Sequence, residues 1–559
     1  MTSATPTAAT TTPDWDRAPL ELPPRTRIEI FIVVLLGILL AALDQTIVGT
    51  ALPVIVTDLK GNDVYTWAFT SYLLTATISG PIYGKLSDLF GRRIIIMIGV
   101  SIFLIGSLLC ATSGQMWQFI AFRGLQGLGA GALFPVSLAI IADIFAPSER
   151  GKYQGFFGAV FGLASLIGPA IGGILTDTVG WHWIFLVNIP LGLVVLFVIW
   201  RTLPTRIESG LKRTVDYLGA AAFVAALVPI LIGLTNKQFG EWTDPDVGGL
   251  IALGLGLAAV FVWVESRAEE PILPLGLFRI RAFSASVFAM FFAMMGFFAA
   301  IVFMPRWYQV VQGSSATEAG YQILPLLGGL IVSAIVSGQI VARTGRYKEL
   351  ILGALLILAA GLFLLTNLRT DSNPQLVWLW MGVTGLGIGP AFAVFTLAVQ
   401  NNVPVNELGT ATSSVTLFQQ VGGTVGLAIT GTIFGTKLLE EMGPQIVKAG
   451  VPQEVATGFA TGGSNTLNNL SGVGDLGARI LASLSPDAQA QLKPFIPGIV
   501  QGIHNAFSIA TATTFFLGIG AALVAALLVL FGLPGGRMGA TAEAGAPVGA
   551  SAAEAAAEA

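Results

Sequence analysis

The first long apolar run of the chain carries a single charged side chain. Residues 31–56 are all uncharged apart from Asp44. A charge at mid-helix depth in a bilayer costs about 2.5–3.5 kcal/mol on insertion scales, so such residues usually face a water-filled cavity. We therefore expect Asp44 to line a cavity and to hold a proton or a cation there.

The overall composition indicates that this apolar run belongs to a membrane protein. Hydrophobic residues make up 54% and charged residues only 11% of the 559 positions, whereas soluble domains carry about 25% charge. Cys110 is the only cysteine, which excludes an intrachain disulfide. With two histidines and no cysteine cluster, we expect no metal site and no bound cofactor. The first 27 residues lack the apolar core of a secretory signal.

The apolar segments predict an all-α polytopic membrane protein with fourteen transmembrane helices. About 20 apolar residues are enough to span a bilayer as a helix, and an even number of spans places both termini on one side. Nineteen of the 28 Lys and Arg residues then fall in the tails or in the even-numbered loops. Because basic residues accumulate on the cytoplasmic side, we expect both termini to be cytoplasmic, in the cell membrane.

An internal repeat divides the chain into two halves. At an offset near 254, residues 84–93 match residues 338–347, and residues 168–172 match residues 422–426. Residues 127–131 match residues 385–389 in the same order. Duplicated halves that bind substrate at their interface are typical of transporters. The alternative is that glycine-rich helices match by chance, since the chain has 68 glycines.

The repeat and the span count together predict the following organisation of the chain. A cytoplasmic tail (1–27), a six-helix bundle (28–205), two inserted helices (206–270), a second six-helix bundle (271–533) and a disordered tail (534–559) follow one another. The second bundle includes a long outer loop over about residues 437–502, for which we expect a cap over the exit or a docking surface for an extracytoplasmic partner. Residues 476–491 have near-helical apolar spacing.

Five sequence motifs resemble those of the major facilitator superfamily, and in particular its fourteen-helix drug:H⁺ antiporter (multidrug efflux) family. They are residues 43–53 (LDQTIVGTALP), 84–93 (GKLSDLFGRR), 123–131 (RGLQGLGAG), 158–173 and 181–190 (WHWIFLVNIP). The resemblance covers roughly residues 28–533. It implies two pseudo-symmetric bundles, export driven by a proton gradient, and no enzymatic activity.

The motif at residues 84–93 predicts a conformational latch at the cytoplasmic rim. Its glycines allow a tight turn, and its charged groups can form strong hydrogen bonds. The resemblance implies a partner for Arg92 at the end of span four, where Asp143 lies. The alternative is that these cations only extend toward the membrane surface. The predicted latch residues are Gly84, Asp88, Gly91, Arg92, Arg93 and Asp143.

Arg123 is the candidate partner of Asp44 in proton coupling. A nearby cation favours the charged form of a carboxylate, whereas desolvation disfavours it, and the sequence leaves the balance open. The alternative role for Arg123 is a static structural one. Counterpart positions in the second half, Phe298 for Asp44 and Met381 for Arg123, are apolar. The ion chemistry is therefore predicted to lie in the first half alone.

Span five carries closely spaced glycines that resemble the antiporter motif. Small residues let helices approach each other, and a proline can bend a helix. This helix could seal or flex between the halves, or have only a packing role. The residues are Gly158, Gly162, Gly168, Pro169, Gly172 and Gly173.

Aromatic and amide side chains are the candidate lining of a substrate cavity. Rings can hold apolar or cationic molecules by dispersion and cation–π contacts, and amides can supply polar contacts. The candidates are Gln126, Phe297, Phe298, Gln419 and Gln420.

The leading functional hypothesis is a proton-coupled exporter of hydrophobic or cationic small molecules such as drugs. Residues 124–129 fail the context test for dinucleotide binding because they lie inside an apolar span, and no Walker loop is present. Alternatives are an exporter of lipids or endogenous secondary metabolites, and a non-transporting membrane sensor or scaffold. The expected partners are membrane lipids, protons and small hydrophobic substrates, without nucleic acid, for a monomeric protein.

Overall fold

A computed structural model gives the architecture of the chain. It describes residues 22–59, 65–204, 216–237, 240–268, 271–404, 407–461, 476–482, 489 and 492–535. Every regular element in those segments is helical. Residues 1–21 and 536–559 of the predicted tails, and the boundaries predicted at residues 205 and 270, lie outside the described residues. The first helix begins at Pro24, inside the predicted N-terminal tail.

The first half is built from seven helices in the described segments. They are α1 (Pro24–Asp58), α2 (Tyr65–Phe90), α3 (Arg92–Ala111), α4 (Met116–Ile144), α5 (Pro147–Thr178), α6 (His182–Leu186) and α7 (Asn188–Thr202). The short α6 and α7 together form one span over His182–Thr202.

The inserted pair and the second half follow. The inserted helices are α8 (Tyr217–Asn236) and α9 (Leu250–Glu265). The second half contains α10 (Arg281–Val311), α11 (Ala316–Gln322), α12 (Leu324–Thr344), α13 (Lys348–Leu365), α14 (Pro374–Gln400), α15 (Leu408–Lys448), α16 (Gln453–Thr461), α17 (Leu476–Ala482) and α18 (Ile496–Gly532).

The predicted all-α membrane fold is confirmed. Thirteen helices within the described residues are long and apolar enough to cross a membrane. The remaining predicted span is α2, which has 26 residues and would extend about 39 Å at 1.5 Å per residue. It is less apolar than the other thirteen spans, because Ser, Thr and Tyr residues interrupt its apolar stretch and Lys85 and Asp88 lie near its end.

The two halves repeat the same helix contacts, as the sequence repeat predicts. A Cβ on Gly127 of α4 would overlap the Tyr72 carbonyl of α2. A Cβ on Gly385 of α14 would overlap the Leu326 carbonyl of α12 in the same way. These close backbone approaches explain why glycine recurs at matched positions, because any side chain would push the helices apart.

The inserted helices pack against both halves at once. Phe223 and Leu227 of α8 share one apolar cluster with Ile78 of α2 and Leu417 of α15. The insertion is therefore a hairpin that bridges the two bundles on one side, and we call α8 and α9 the inserted hairpin.

Two long helices extend into the segment predicted as an outer loop. Helix α15 continues to Lys448 and α18 begins at Ile496, so both enter the predicted loop at residues 437–502. Of the helix expected over residues 476–491, α17 covers the first seven residues. Leu476 and Ile480 of α17 are buried in the core of the second half, which ties this segment to that bundle.

Candidate functional site

Asp44 and Arg123 form an ion pair inside the first half. Arg123 Nη1 donates to Asp44 Oδ2 over 2.6 Å, and both side chains are fully buried at 0% exposure. Asp44 comes from α1 and Arg123 from α4, so the pair joins two helices. A buried pair of this kind is stable only when hydrogen bonds satisfy its remaining polar atoms.

Two side-chain amides complete the coordination of the Asp44 carboxylate. Gln126 Nε2 donates to Oδ1 over 2.8 Å, and Asn188 Nδ2 donates to the same oxygen over 2.9 Å. Ser107 accepts from both amides, over 3.2 Å from Gln126 and 2.9 Å from Asn188. Helices α1, α3, α4 and α7 therefore meet at one polar cluster in an apolar core, which we call the Asp44 cluster.

The guanidinium of Arg123 is enclosed on its other side. It lies over the Tyr72 ring of α2, with 4.2 Å from Cζ to the ring centroid, where a cation–π contact stabilises the charge. Among the described residues, Arg123 Nη2 has no hydrogen-bond partner. Arg123 Nη1 also donates to Gln126 Oε1 over 2.7 Å, and Nε donates to the Ala68 carbonyl over 3.4 Å. Asp44 is the carboxylate that balances the charge of the guanidinium.

The location of Asp44 differs from the expectation of a water-filled cavity. Asp44 is 1% exposed and lies among the apolar side chains Leu43, Ile47 and Phe185. The reason is that its partners come from within its own bundle, so the first half closes around it. Asn188, at the end of the motif over residues 181–190, is a partner that the sequence analysis missed. Its signal was an isolated amide in an apolar helix.

The predicted latch residues come together at the start of α3. Arg92 Nε donates to Asp143 Oδ2 over 3.0 Å, linking α3 to the end of α4. Arg92 Nη1 bonds Asp88 Oδ1 and donates to Ser87 Oγ over 2.6 Å. Gly91 has φ 91°, a left-handed conformation that favours glycine and gives the sharp turn between α2 and α3.

Asp88 also reaches the second half, where it caps the first turn of α15. The amides of Gly409 and Thr410 donate to its two carboxylate oxygens over 3.0 Å and 2.9 Å, and the Thr410 hydroxyl adds a bond of 3.0 Å. A carboxylate at a helix N-terminus satisfies unpaired amides and favourably opposes the helix dipole. One residue thus joins Arg92 of the first half to a helix end of the second.

The remaining latch residues support the same contact. A Cβ on Gly84 would stand 2.7 Å from Ser413 Cβ and 2.8 Å from the Gly409 carbonyl of α15, so this position admits no side chain. Arg93 Nη2 donates to the Trp200 carbonyl near the end of α7. Arg93 therefore fastens α3 within its own bundle, whereas Gly84 permits contact between bundles.

The glycines of α5 fall into two groups. Gly158 and Gly162 face Ala334 and Ile331 of α12, in the other half. Gly168 faces Thr46 of α1, whose hydroxyl donates to the Ala164 carbonyl over 3.0 Å.

The other predicted positions of α5 contribute less. Gly172 is buried, and a Cβ on Gly173 would meet nothing within 4 Å. The side chain of Pro169 lies outside the described part of the structure. Helix α5 therefore contacts both the second half and the helix that carries Asp44.

The predicted cavity residues do not share one surface. Phe297 is buried in the core of the second half, whereas Phe298 is partly exposed and faces Gly423 of α15. The two rings meet edge to face, with their centroids 6.5 Å apart, and Phe298 is the one that reaches the surface. Gln126 belongs to the Asp44 cluster, Gln419 is half-buried, and Gln420 bonds Thr77 of the first half.

A second polar contact between the halves was not predicted. Gln154 Nε2 of α5 donates to Gln400 Oε1 of α14 over 2.5 Å. Gln400 Nε2 donates to Thr412 of α15 over 3.0 Å and to the Leu138 carbonyl of α4 over 3.3 Å. Four helices from both halves meet here, on the same side of the bundle as Asp88, and that end of the molecule is closed.

Comparison with known proteins places the chain in one family. The family profile described as Major Facilitator Superfamily matches residues 34–427. The multidrug transporter protein MdtP of Bacillus subtilis is 37% identical over 506 residues, which cover 89% of this chain and 91% of MdtP. The tetracenomycin C resistance and export protein of Streptomyces glaucescens is 30% identical, with 89% and 90% covered.

Solved structures of transporters share the fold. The proton:xylose symporter XylE superposes with a TM-score of 0.58 at 15% identity, covering 92% of this chain and 97% of XylE. The human organic anion transporter MFSD10 gives a TM-score of 0.56 at 16% identity, with 89% and 100% covered. At this identity the likeness concerns the fold alone.

Proposed function

The chain belongs to the major facilitator superfamily, and on that premise we propose that it is a proton-coupled exporter of hydrophobic or cationic drugs. The names of the relatives support drug export, because they include a multidrug transporter and an antibiotic export protein. Proton coupling is the finer part of the proposal. It rests on one observation, the fully buried ion pair between Asp44 and Arg123.

Protonation of Asp44 would change the energy of the closed first half. The neutral carboxyl group would leave Arg123 as a buried cation without a counterion. Breaking a buried ion pair on one side costs about 3–5 kcal/mol, so the protonated cluster favours a state in which Arg123 reaches water or another partner. The proton is thereby linked to conformation, because the two conformations bind it with different affinity.

The sealed position of Asp44 favours indirect coupling. A drug cannot touch a carboxylate at 1% exposure, so drug and proton do not compete for one site in this conformation. Instead the Asp44 cluster would act on α1, and through Thr46 and Gly168 on α5, which packs against the second half. The drug would bind between the halves, at partly exposed residues such as Phe298 and Gln419.

The latch would set which end of the transporter is closed. Asp88 accepts from the start of α15. Arg92 holds Asp88 in place, and Asp143 holds Arg92. Opening that end requires these charged hydrogen bonds to break. By the predicted orientation, with both termini cytoplasmic, the closed end faces the cytoplasm and drugs leave on the opposite side. We further propose a monomer surrounded by lipid in the cell membrane.

The decisive experiment is drug flux driven by a pH gradient in proteoliposomes. We expect Asp44→Asn to abolish flux driven by the gradient while a lipophilic cation still binds the purified protein. Glu241→Gln, at an exposed carboxylate of the inserted hairpin, is the matched control and should transport normally. Undiminished proton-driven flux in Asp44→Asn would overturn the coupling mechanism and leave drug export itself intact.

A second cargo class is favoured by one relative. The relative from Streptomyces glaucescens exports, by its name, tetracenomycin C, so a secondary metabolite of that kind is a candidate substrate for this chain too. The same liposome assay distinguishes the two cargo classes. Competition between tetracenomycin C and a lipophilic cation would support one shared site.

A further inference from the structure

Two carboxylates tie the inserted hairpin to the chain on either side of it. Asp216 precedes α8, and its Oδ1 accepts from the Gly219 amide over 2.7 Å as a helix N-cap. Glu265 ends α9 and is 2% exposed. Its Oε1 accepts from the Leu273 amide over 2.5 Å, in the segment that leads to α10. Each carboxylate thus uses one oxygen to hold the backbone.

The second oxygens of both carboxylates lie beside the same glycine. Within the described segments, Asp216 Oδ2 and Glu265 Oε2 are buried and have no hydrogen-bond partner. A Cβ on Gly219 would overlap Asp216 Oδ2 and stand 2.7 Å from Glu265 Oε2. Both oxygens therefore border one small space, which exists only because residue 219 is glycine.

Within the described segments, few positive charges lie beside this pair. The charged groups that act on Glu265 there are Asp216, at the start of α8, and Lys85 of α2. Residues 408–436 of α15, which include Leu417 and Val421 of this packing, carry no charged side chain. Two buried carboxylates that share a site repel each other, and one proton between them removes the repulsion.

We propose that Asp216 and Glu265 form a second proton-binding site, at the root of the inserted hairpin and separate from Asp44. One carboxyl group carries the proton on its free oxygen and donates it to the free oxygen of the other. On deprotonation the proton passes to water, and the two carboxylates repel. Because the hairpin bridges Ile78 of α2 and Leu417 of α15, losing this proton loosens a contact shared by both halves.

The amide variants make the proposal testable because they imitate the protonated pair. In Glu265→Gln, the amide nitrogen can donate to Asp216 Oδ2 while the amide oxygen still accepts from Leu273. In Asp216→Asn, the amide nitrogen can donate to Glu265 Oε2 instead. This second variant is used if Glu265→Gln folds poorly. A purely structural role predicts instead that both carboxylates are ionised in the native protein.

The first measurement is infrared difference spectroscopy of the full-length protein in lipid nanodiscs, titrated with acid and base in H₂O and D₂O. We expect a protonated carboxyl band that shifts in D₂O and is lost in both Glu265→Gln and Asp216→Asn. The band should persist in Asp44→Asn, so the result is independent of the proposed coupling site, and in the exposed control Glu241→Gln. A band unchanged by both amide variants, or one that disappears when sodium ions are added at constant pH, would overturn the proton site.

The second measurement is hydrogen–deuterium exchange of peptides from Tyr217–Asn236, corrected for the intrinsic pH dependence of exchange. Raising the pH through the midpoint of the infrared band should increase exchange in the wild type by roughly tenfold, the effect of one unit of proton affinity. Glu265→Gln should show no such step. The same step in the variant would refute a link between this proton and hairpin docking.

Discussion

Replacing Asp44 with asparagine, Arg123 with methionine, and both together tests whether each charge is stable in the core only because of the other. Both side chains have 0% exposure, so neither charge gains from water. Methionine is the natural choice because Met381, also buried, occupies the matching position of the second half. The three variants form a double-mutant cycle, which isolates the energy of the pair.

The expected magnitudes follow from the contacts of the pair. Asp44→Asn leaves a buried guanidinium that cannot lose its proton. We expect the free energy of unfolding to fall by about 3 kcal/mol, the low end for a broken buried pair, because asparagine still accepts one hydrogen bond. Arg123→Met should lower the free energy of unfolding by about the same amount near neutral pH. The double variant should lose no more than about 2 kcal/mol of unfolding free energy. Its unmet hydrogen bonds are those of the Gln126 and Asn188 amides, which then share the asparagine oxygen, and that of Gln126 Oε1, which loses its Arg123 donor.

The assay is equilibrium unfolding by dodecyl sulfate in mixed micelles, followed by the fluorescence of the 11 tryptophans. The loss of unfolding free energy in Arg123→Met should become smaller as the pH falls, because the folded variant then takes up a proton at Asp44 that the unfolded chain does not bind. The loss in Asp44→Asn should stay the same, because asparagine does not take up a proton. If the losses of unfolding free energy in the two single variants sum to the loss in the double variant within about 0.5 kcal/mol, the two charges are not coupled and the reasoning fails.

Two further predictions concern the closed end of the molecule. Asp88→Asn should weaken the cap on α15 by about 1.5–3 kcal/mol, the range for hydrogen bonds to charged groups. The assay uses the buried probe Ser413→Cys in a Cys110→Ser background. With Asp88→Asn, this cysteine should react with a water-soluble maleimide at least tenfold faster than it does when Asp88 is intact, and an unchanged rate would exclude the latch. Gly84→Ala should expose the same probe, because its Cβ would stand 2.7 Å from Ser413 Cβ. Gly173→Ala, which would meet nothing within 4 Å, is the control and should leave the rate unchanged.

The fold was predictable because membrane insertion leaves a strong periodic signal. Long apolar segments, charge asymmetry and repeated glycines each report a local requirement of a helix in lipid. Even the least apolar span, α2, was counted among the apolar segments, and the asymmetry of the basic residues supported that count.

The contacts between bundles were not predictable in the same way. The cap of Asp88 on Gly409 and Thr410 joins positions more than 320 residues apart and exists in one conformation of the two halves. The bond from Gln154 to Gln400 has the same character. The burial of Asp44 was also missed, because the sequence shows that a helix carries a charge but not toward which neighbour the charge points.

The confinement of the Asp44 cluster to the first half has an evolutionary consequence. Its matching positions in the second half are Phe298, Met381 and Thr384, all without charge. On the proposed mechanism, a substitution that changes drug contacts on α10 leaves the side chains of the Asp44 cluster in place, and the reverse also holds. A lineage with this division could acquire resistance to a new compound by single substitutions in one bundle, without changing the Asp44 cluster.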